Sequence, residues 1–497
     1  MKIVYIPLDE RPCNYAFASQ IAEGSPVRLV APAKELLGWK KTPTDTARLT
    51  AFLETECADA DALVLSLDML LYGGIIPSRL HHLTEAELTE RLDGVRELRK
   101  KNPKLKIFAF ALIMRCPSYS SSDEEPDYYE TCGLEIFRTG QVKHKLSLGL
   151  ITEEEAQQLL NTYGEKTGPY LADYEQRRQI NRDMLEKILT EYRDCFDVLV
   201  IPQDDSSTYG YTTVDREYLK QVIANAGLGD VSMYPGADEV GMSLLANAAC
   251  TLMGKFPRVK PVFAHEDSPK VKPLYEDRPV GQTLPLLMAA SGIRLTAPDA
   301  DDADITLYLN YPAFDPVEVV QEPSAGYPLR ELPKFCEKIA ADVRSGKLTA
   351  VADCAYCNGG DAELVSLLSR KIDLTDLAAY AGWNTSSNTL GTVACQAVFA
   401  WLFGQNEKSR LFTAQRLYED VGYCGHVRRE VTELIEPMGY GYFNAGEADG
   451  IVAQMVRKHL DAYMGQLLPQ IAQRYELDRC QMPWKRMFEV DLTMKEK

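Results

Sequence analysis

Two adjacent acids, Asp204-Asp205, directly follow the apolar run Asp197–Gln203. Neighbouring side chains at a strand end point apart, so the two carboxyl groups can do different work. Sharing one pocket would push their pKa values apart, leaving one ionised and one protonated near neutral pH. Glycosidic cleavage needs that division: one acid to protonate the leaving oxygen and one carboxylate to manage developing positive charge. An adjacent pair cannot reach across a sugar ring as acid and nucleophile. It suits a substrate whose own acetamido group attacks. Tyr209 and Tyr211 follow within seven residues and could donate hydrogen bonds there. Two other uses stay open. The pair could join Asp9, Asp68 or Asp353 around Mg²⁺ or Mn²⁺, or cap the helix that starts near Val214.

Polar residues recur at the ends of nearly all the apolar runs. Asp9, Glu10, Arg11 and Asn14 follow Ile3–Leu8, and Asp68, Tyr72 and Arg79 follow Ala62–Leu67. Arg115 follows Ile107–Ile113, Asp204-Asp205 follow Val198–Pro202, and Asp238-Glu239 follow Val231–Tyr234. His265-Glu266-Asp267 follow Val262–Ala264, and Asn310 follows Ile305–Leu309. Asp353, Tyr356, Asn358 and Asp361 follow Ala350–Ala352, and Trp383-Asn384 follow Leu377–Ala381. In parallel α/β architectures the carboxyl ends of the strands share one face, where active sites sit. A capping residue explains one such position better than it explains a series. For Asp68, Asp361, Asp238 and Glu239, a simple role at a helix start remains an equal reading.

The runs are continuous and apolar, as strands buried on both faces require. Helical periodicity fills the gaps, at Glu85–Lys100, Ala172–Tyr192, Val240–Met253 and Pro333–Ser345. This alternation predicts α/β architecture with parallel strands. Eight or nine strands fit a (β/α)8-like barrel over residues 1–395, with a helical subdomain inserted at about 116–196. The β signal stops near residue 395, so 396–497 is expected to be a mainly helical C-terminal region. The alternative is an open doubly wound sheet with a second Rossmann-like unit, for which Ile293–Thr296 would supply an extra strand.

The 497 residues carry 54 Lys and Arg against 72 Asp and Glu, a net charge of −18. This balance argues against nucleic acid and anionic membranes, which need a basic footprint. Residues 1–8 are too short for a signal core, and no run approaches a membrane span. The expectation is a cytoplasmic protein with a small carbohydrate substrate, no nucleic-acid or membrane partner, and its 12 cysteines as buried free thiols. The lone Cys354-Ala355-Tyr356-Cys357 lacks two further zinc ligands nearby. No Gly-rich phosphate loop or serine-hydrolase elbow is present, and neither a cofactor nor a metal is expected. Gly382–Gly391 holds more small hydrogen-bonding residues than capping needs, which suggests a ligand-facing loop with Trp383 as an apolar floor. Arg178 and Asn181 share one helix face and either reach the pocket or form a solvated surface.

The set Pro7–Asn14, Ser66–Gly74, Gln203-Asp204-Asp205 and Gly382-Trp383-Asn384-Thr385 resembles a bacterial family of about this length with no described activity. The resemblance covers most of the chain and implies no function. Asp-Asp after the fourth strand is also similar to the substrate-assisted β-N-acetylhexosaminidases of the O-GlcNAcase type, which are (β/α)8 barrels. That second likeness rests on one dipeptide and its position. It implies that Asp204 orients the acetamido nitrogen and Asp205 is the general acid/base. Ser206-Ser207-Thr208-Tyr209 departs from that family's pattern. The expected function is therefore hydrolysis of an N-acetylhexosaminide. Asp9, Arg11, Asn14, Asp68, Tyr72, Arg115, Tyr209, Asp238, Asn310, Asp353, Asn358, Trp383 and Asn384 would contact the sugar. A metal-dependent hydrolase or isomerase on a sugar-like substrate, and a non-catalytic carbohydrate binder, are the competing expectations.

Overall fold

The computed structural model describes residues 1–497 apart from 299 and 301. They form two compact units. The first holds Met1–Glu10, Leu29–Gly241 and Tyr275–Asp277; the second holds Arg11–Arg28, Met242–Leu274 and Arg278–Lys497.

The first unit is built on β1 (Lys2–Ile6), β2 (Arg28–Val30), β3 (Ala62–Ser66), β4 (Lys106–Phe110) and β5 (Val198–Val200), in the order β2-β1-β3-β4-β5. The β1–β3, β3–β4 and β4–β5 pairs run parallel. Val64 lies opposite both Tyr5 and Phe108. All of β3 is buried, which explains its unbroken apolar sequence. Past Val200 the pairing continues as isolated parallel bridges, Val200 to Ser232 and Gln203 to Pro235. The run Val231–Tyr234 thus extends the sheet without forming a full strand.

Between β4 and β5 stand three helices, Tyr129–Ser147, Glu153–Thr167 and Tyr170–Glu191. Thr152 and Glu155 start the second with a reciprocal capping box. Met114, Cys116, Tyr129, Cys132, Ile136, Tyr174 and Tyr211 form a small core that joins the first and third of these helices to the helix Tyr211–Asn225.

The second unit contains β6 (Arg258–Phe263), β7 (Arg294–Leu295), β8 (Ile305–Asn310), β9 (Val317–Glu318), β10 (Thr349–Asp353), β11 (Tyr356–Cys357) and β12 (Ala379–Ala381). Its main sheet has the order β12-β10-β8-β6-β7, and its pairs run parallel. β9 and β11 pair separately. Counted along the chain, both main sheets read 2-1-3-4-5, a common doubly wound order.

No closed barrel is found among the described residues; the strands expected to close one circle divide between two open sheets. The count misled because βα repeats look alike in sequence whichever sheet they join. Residues after 395 hold, besides their helices, one β element that the sequence reading did not include. Helices Ser386–Phe403, Glu407–Arg416, Arg428–Ile435 and Ile451–Leu467 are followed by an antiparallel hairpin, β13 (Tyr475–Gln481) and β14 (Asp491–Glu496). A bulge between Leu477 and Arg479 breaks the two-residue alternation that would have announced β13. The hairpin closes a core containing Val421, Val456, Leu460 and Met487.

Candidate functional site

The Asp204-Asp205 pair sits beyond the carboxyl end of β5, held from both sides. Gln203 N–H donates to Tyr234 O at 3.0 Å, and Ser206 N–H donates to Tyr275 O at 3.1 Å. Asp205 takes a left-handed backbone, φ +38°, a region that Asp tolerates better than most residues. The turn separates the two side chains, and each meets its own arginine. Arg79 Nη2 lies 2.7 Å from Asp204 Oδ2, and Arg115 Nη1 lies 2.8 Å from Asp205 Oδ2.

Glu124 and Glu125 join the two arginines. Arg79 Nη1 is 3.2 Å from both glutamates. Arg115 reaches Glu124 with Nη2 at 2.8 Å and Glu125 with Nε at 2.7 Å. Two guanidinium groups thus serve four carboxyl groups. The arginine side chains are 3% and 8% exposed and that of Glu125 is 3%, whereas Asp204 and Asp205 are 14% and 27% exposed. The catalytic candidates are therefore the open edge of an otherwise buried ion cluster. Tyr119 hydroxyl lies 3.2 Å from Arg115 Nη2 at the same edge, and the tyrosine is 43% exposed.

Asp68 lies on the short helix Leu67–Tyr72. Ser66 caps that helix, its hydroxyl accepting from Met69 N–H at 3.2 Å. Asp68 Oδ2 instead accepts from Leu112 N–H at 2.9 Å, tying the end of β3 to the segment that leads into Arg115. Gly73, at φ +91°, ends the helix in a conformation costly for a residue with a Cβ. Burial raises the Asp68 carboxyl to about 7 against the pull of the Leu112 amide and Arg79. Burial also raises Asp205 to about 6; Arg115 opposes this and the Asp204 charge adds to it. Of the two forces on Asp205, desolvation wins.

The remaining first-unit residues take other places. Tyr72 stacks on the His81 ring, 4.7 Å between centroids. Tyr209 packs edge-on to His144, with the Lys145 ammonium 5.3 Å from its ring. Tyr211 hydroxyl donates to Glu175 at 2.5 Å rather than to the Asp pair. Arg178 is paired with Asp215 at 2.6 Å, and Asn181 Nδ2 fastens Ser78 O at 2.9 Å. Asp9 and Asp238 are buried, Asp9 at the end of β1 and Asp238 just before the helix Val240–Met253.

Arg11, Asn14, Asn310, Asp353, Asn358, Trp383 and Asn384 belong to the second unit. Arg11 lies 4.7 Å from the Trp484 ring and 3.6 Å from Glu489, and Asn14 is buried beside it. Asn310 and Asp353 are spent on an enclosed network. Asn310 Nδ2 donates to Asp353 at 2.8 Å, Arg330 binds Asp361 at 2.6 Å, and Tyr380 hydroxyl donates to Asp353 at 2.8 Å. Asp361 also caps the helix Ala362–Ser369, accepting from Glu363 N–H at 3.0 Å. Asn358, Trp383 and Asn384 instead meet at a small cavity that Glu419 and Arg428 also line.

Glu124, Glu125 and Tyr119 went unread because an acidic stretch in a polar segment looks like a solvated loop. Arg79 stood in the strand-end series without a role. Among the described residues, no helix is long and apolar enough to cross a membrane. No group of three His, Cys, Asp or Glu side chains with metal-binding geometry is found among them either.

No curated protein matches the sequence. The family model that does match covers residues 3–493, and the chain belongs to that family, described as a protein of unknown function, DUF4127.

Proposed function

We propose that the protein is a glycoside hydrolase acting on an N-acetylhexosaminide, with Asp205 as proton donor and Asp204 as the carboxylate that polarises the acetamido group. The observation that carries this reading is the partly exposed Asp pair on a buried arginine–carboxylate cluster, with the Asp205 carboxyl raised to about 6. A carboxyl group raised to about 6 keeps a usable protonated fraction in mildly acidic to neutral solution. The surplus of carboxyl over guanidinium groups favours the positive charge that develops on a sugar ring during cleavage. A small neutral ligand, met in the cytoplasm and without nucleic acid, suits the chain's acidic balance.

The test is hydrolysis of aryl N-acetylhexosaminides by wild type, Asp204→Asn and Asp205→Asn. Activity in wild type that falls in both variants supports the assignment. Equal rates in all three, or no turnover of any aminosugar, would sink it. The second reading is metal-dependent hydrolysis or isomerisation of a sugar-like substrate, for which the carboxylates of the cluster would have to rearrange around the ion. Full loss of activity in EDTA with recovery on Mg²⁺ or Mn²⁺ would select that mechanism. Sugar binding without turnover would select a carbohydrate-binding role.

A further inference from the structure

We propose that the second unit carries a small-molecule site of its own, built around Asn358, Trp383 and Asn384, which takes a neutral, hydroxyl-rich ligand. It lies at the place along its sheet that the Asp pair occupies in the first unit. The inference does not depend on the glycosidase reading.

The positional argument comes from strand order. Both main sheets read 2-1-3-4-5. In the first unit Arg115 stands five residues past Phe110, the end of the fourth strand, and Asp204-Asp205 follow the fifth. In the second unit Asn358 stands five residues past Asp353, the end of the fourth strand, and Trp383-Asn384 follow the fifth. The second member of each dipeptide, five residues past Val200 and three past Ala381, shares a further property. Asp205 has φ +38° and Asn384 has φ +50°, both left-handed without being glycine. Asn358 adds a third such residue at φ +63°. Its N–H donates to Asn384 O at 2.8 Å, so the two strained residues brace each other. Backbone of this kind persists where its surroundings hold it, and it concentrates at ligand sites.

The walls are chemically specific. The helix Glu407–Arg416 continues into a π-helical stretch, Leu417–Val427, which supplies Glu419 and Cys424. Wide turns of this type recur at functional sites. Arg428 donates to Asn358 O at 2.8 Å and to Phe488 O at 2.7 Å. Asn384 makes no side-chain hydrogen bond among the described residues and is half-buried at the cavity.

Charge and size select the ligand class. Glu419 is paired with Arg416, and Glu489 lies 3.1 Å from Arg486 and 3.6 Å from Arg11. Arg428 is engaged by two carbonyls. Both carboxylates at the cavity thus stand beside arginines, and Arg428 spends N–H groups on the loop carbonyls that shape the wall, which favours a ligand read through hydroxyl groups over an ionic one. Trp383 and Phe488 offer apolar surface; the Asn384 carboxamide can both donate and accept, while Asn358 Nδ2 donates to Glu318 at 3.3 Å and leaves chiefly its oxygen to a ligand. The enclosed space is about 20 Å³, enough for one water-sized group. One hydroxyl or hydroxymethyl would enter while the rest of the molecule lies at the mouth.

The test uses the full chain and ligand-detected NMR with glucose and N-acetylglucosamine as probes. Wild type is compared with Asp205→Asn, Asn384→Gly and Asn358→Gly, glycine being chosen because it accepts the left-handed backbone. Binding of at least one probe should persist in Asp205→Asn and weaken about tenfold or more in both glycine variants, whose thermal melts report whether they are folded. A tenfold loss in whichever glycine variant folds suffices. Binding of neither probe by wild type, equal binding by the glycine variants, or loss only in Asp205→Asn would overturn the proposal.

Discussion

Arg115 holds Asp205 at 2.8 Å, yet the Asp205 carboxyl is still raised to about 6. An arginine that close ordinarily keeps a carboxylate ionised. Here the guanidinium is divided among Asp205, Glu124 and Glu125, so its charge is shared while desolvation of the partly buried Asp205 outweighs it. The arrangement positions the acid through Arg115 without forcing it to lose its proton.

The first prediction concerns pH. A proton donor of pKa about 6 should give hydrolysis that declines as pH rises through 6, because the ionised form cannot donate. Asp205→Asn should lower kcat by about 10²–10⁴-fold. The loss should be smallest with nitrophenyl leaving groups, which need least protonation. Rates measured from pH 4 to 9 check this, and a profile flat between 5 and 8 would remove Asp205 as the donor.

A second prediction follows from the shared glutamates. Arg115→Met leaves Glu125, 3% exposed, without its closest cation. Removing one partner of a buried pair costs about 3–5 kcal/mol. Adding Glu125→Gln removes the stranded charge, so the double variant should recover part of that loss. Denaturant unfolding of the two single variants and the double variant gives the coupling energy. Simple additivity would show that the two residues do not act as a unit.

Asp68 supplies a third. Its carboxyl is raised from 3.8 to about 7 in the folded protein, chiefly by burial. The folded state therefore holds a proton that the unfolded chain releases. This stabilises the fold at low pH and fades as pH rises from about 4 to 7, by about 1.4 kcal/mol per unit. Asp68→Asn keeps an oxygen for the Leu112 amide and loses the titration. Its stability relative to wild type should improve steadily from about pH 4 to pH 7 and level off above that. A difference that stays constant with pH would contradict the buried, titrating carboxyl.

The sequence made some of this legible and hid the rest for physical reasons. β3 and β8 announced themselves because strands buried on both faces are written as unbroken apolar runs. Asp204, Asp205, Asp68 and Arg115 were recognisable as strand-end residues, and they do gather around one cluster. Asn310 and Asp353 looked equivalent to them, yet the structure spends both on an internal network. Residue type and position are the same for a polar group facing a ligand and one facing Arg330; only the packing distinguishes them. Glu124 and Glu125 were hidden because their role depends on a fold-back onto Arg79 and Arg115 that no local pattern encodes. The partition into two sheets was equally hidden, since strand pairing is non-local.

The final prediction concerns the thiols, and it bears on the Cys354–Cys357 spacing. All twelve cysteines are thiols outside any disulfide; eleven are buried and Cys480 is partly exposed. Burial raises Cys57, Cys116, Cys250, Cys336, Cys424 and Cys480 to about 12. The thiolate is the reactive form, so such groups are slow nucleophiles at neutral pH even where a reagent can reach them. Cys357 Sγ donates to Asn384 O at 3.3 Å, which commits it to the loop wall rather than to its neighbour Cys354. A chromogenic disulfide reagent at pH 7.5 should therefore modify at most one thiol promptly in the native protein, and all twelve after unfolding in guanidinium. Two fast thiols whose reactivity is lost in Cys354→Ala or Cys357→Ala would instead make this dithiol a redox pair. That outcome would also require both sulfur atoms to leave the loop carbonyls they now face, Ser386 O at 3.9 Å from Cys354 and Asn384 O at 3.3 Å from Cys357.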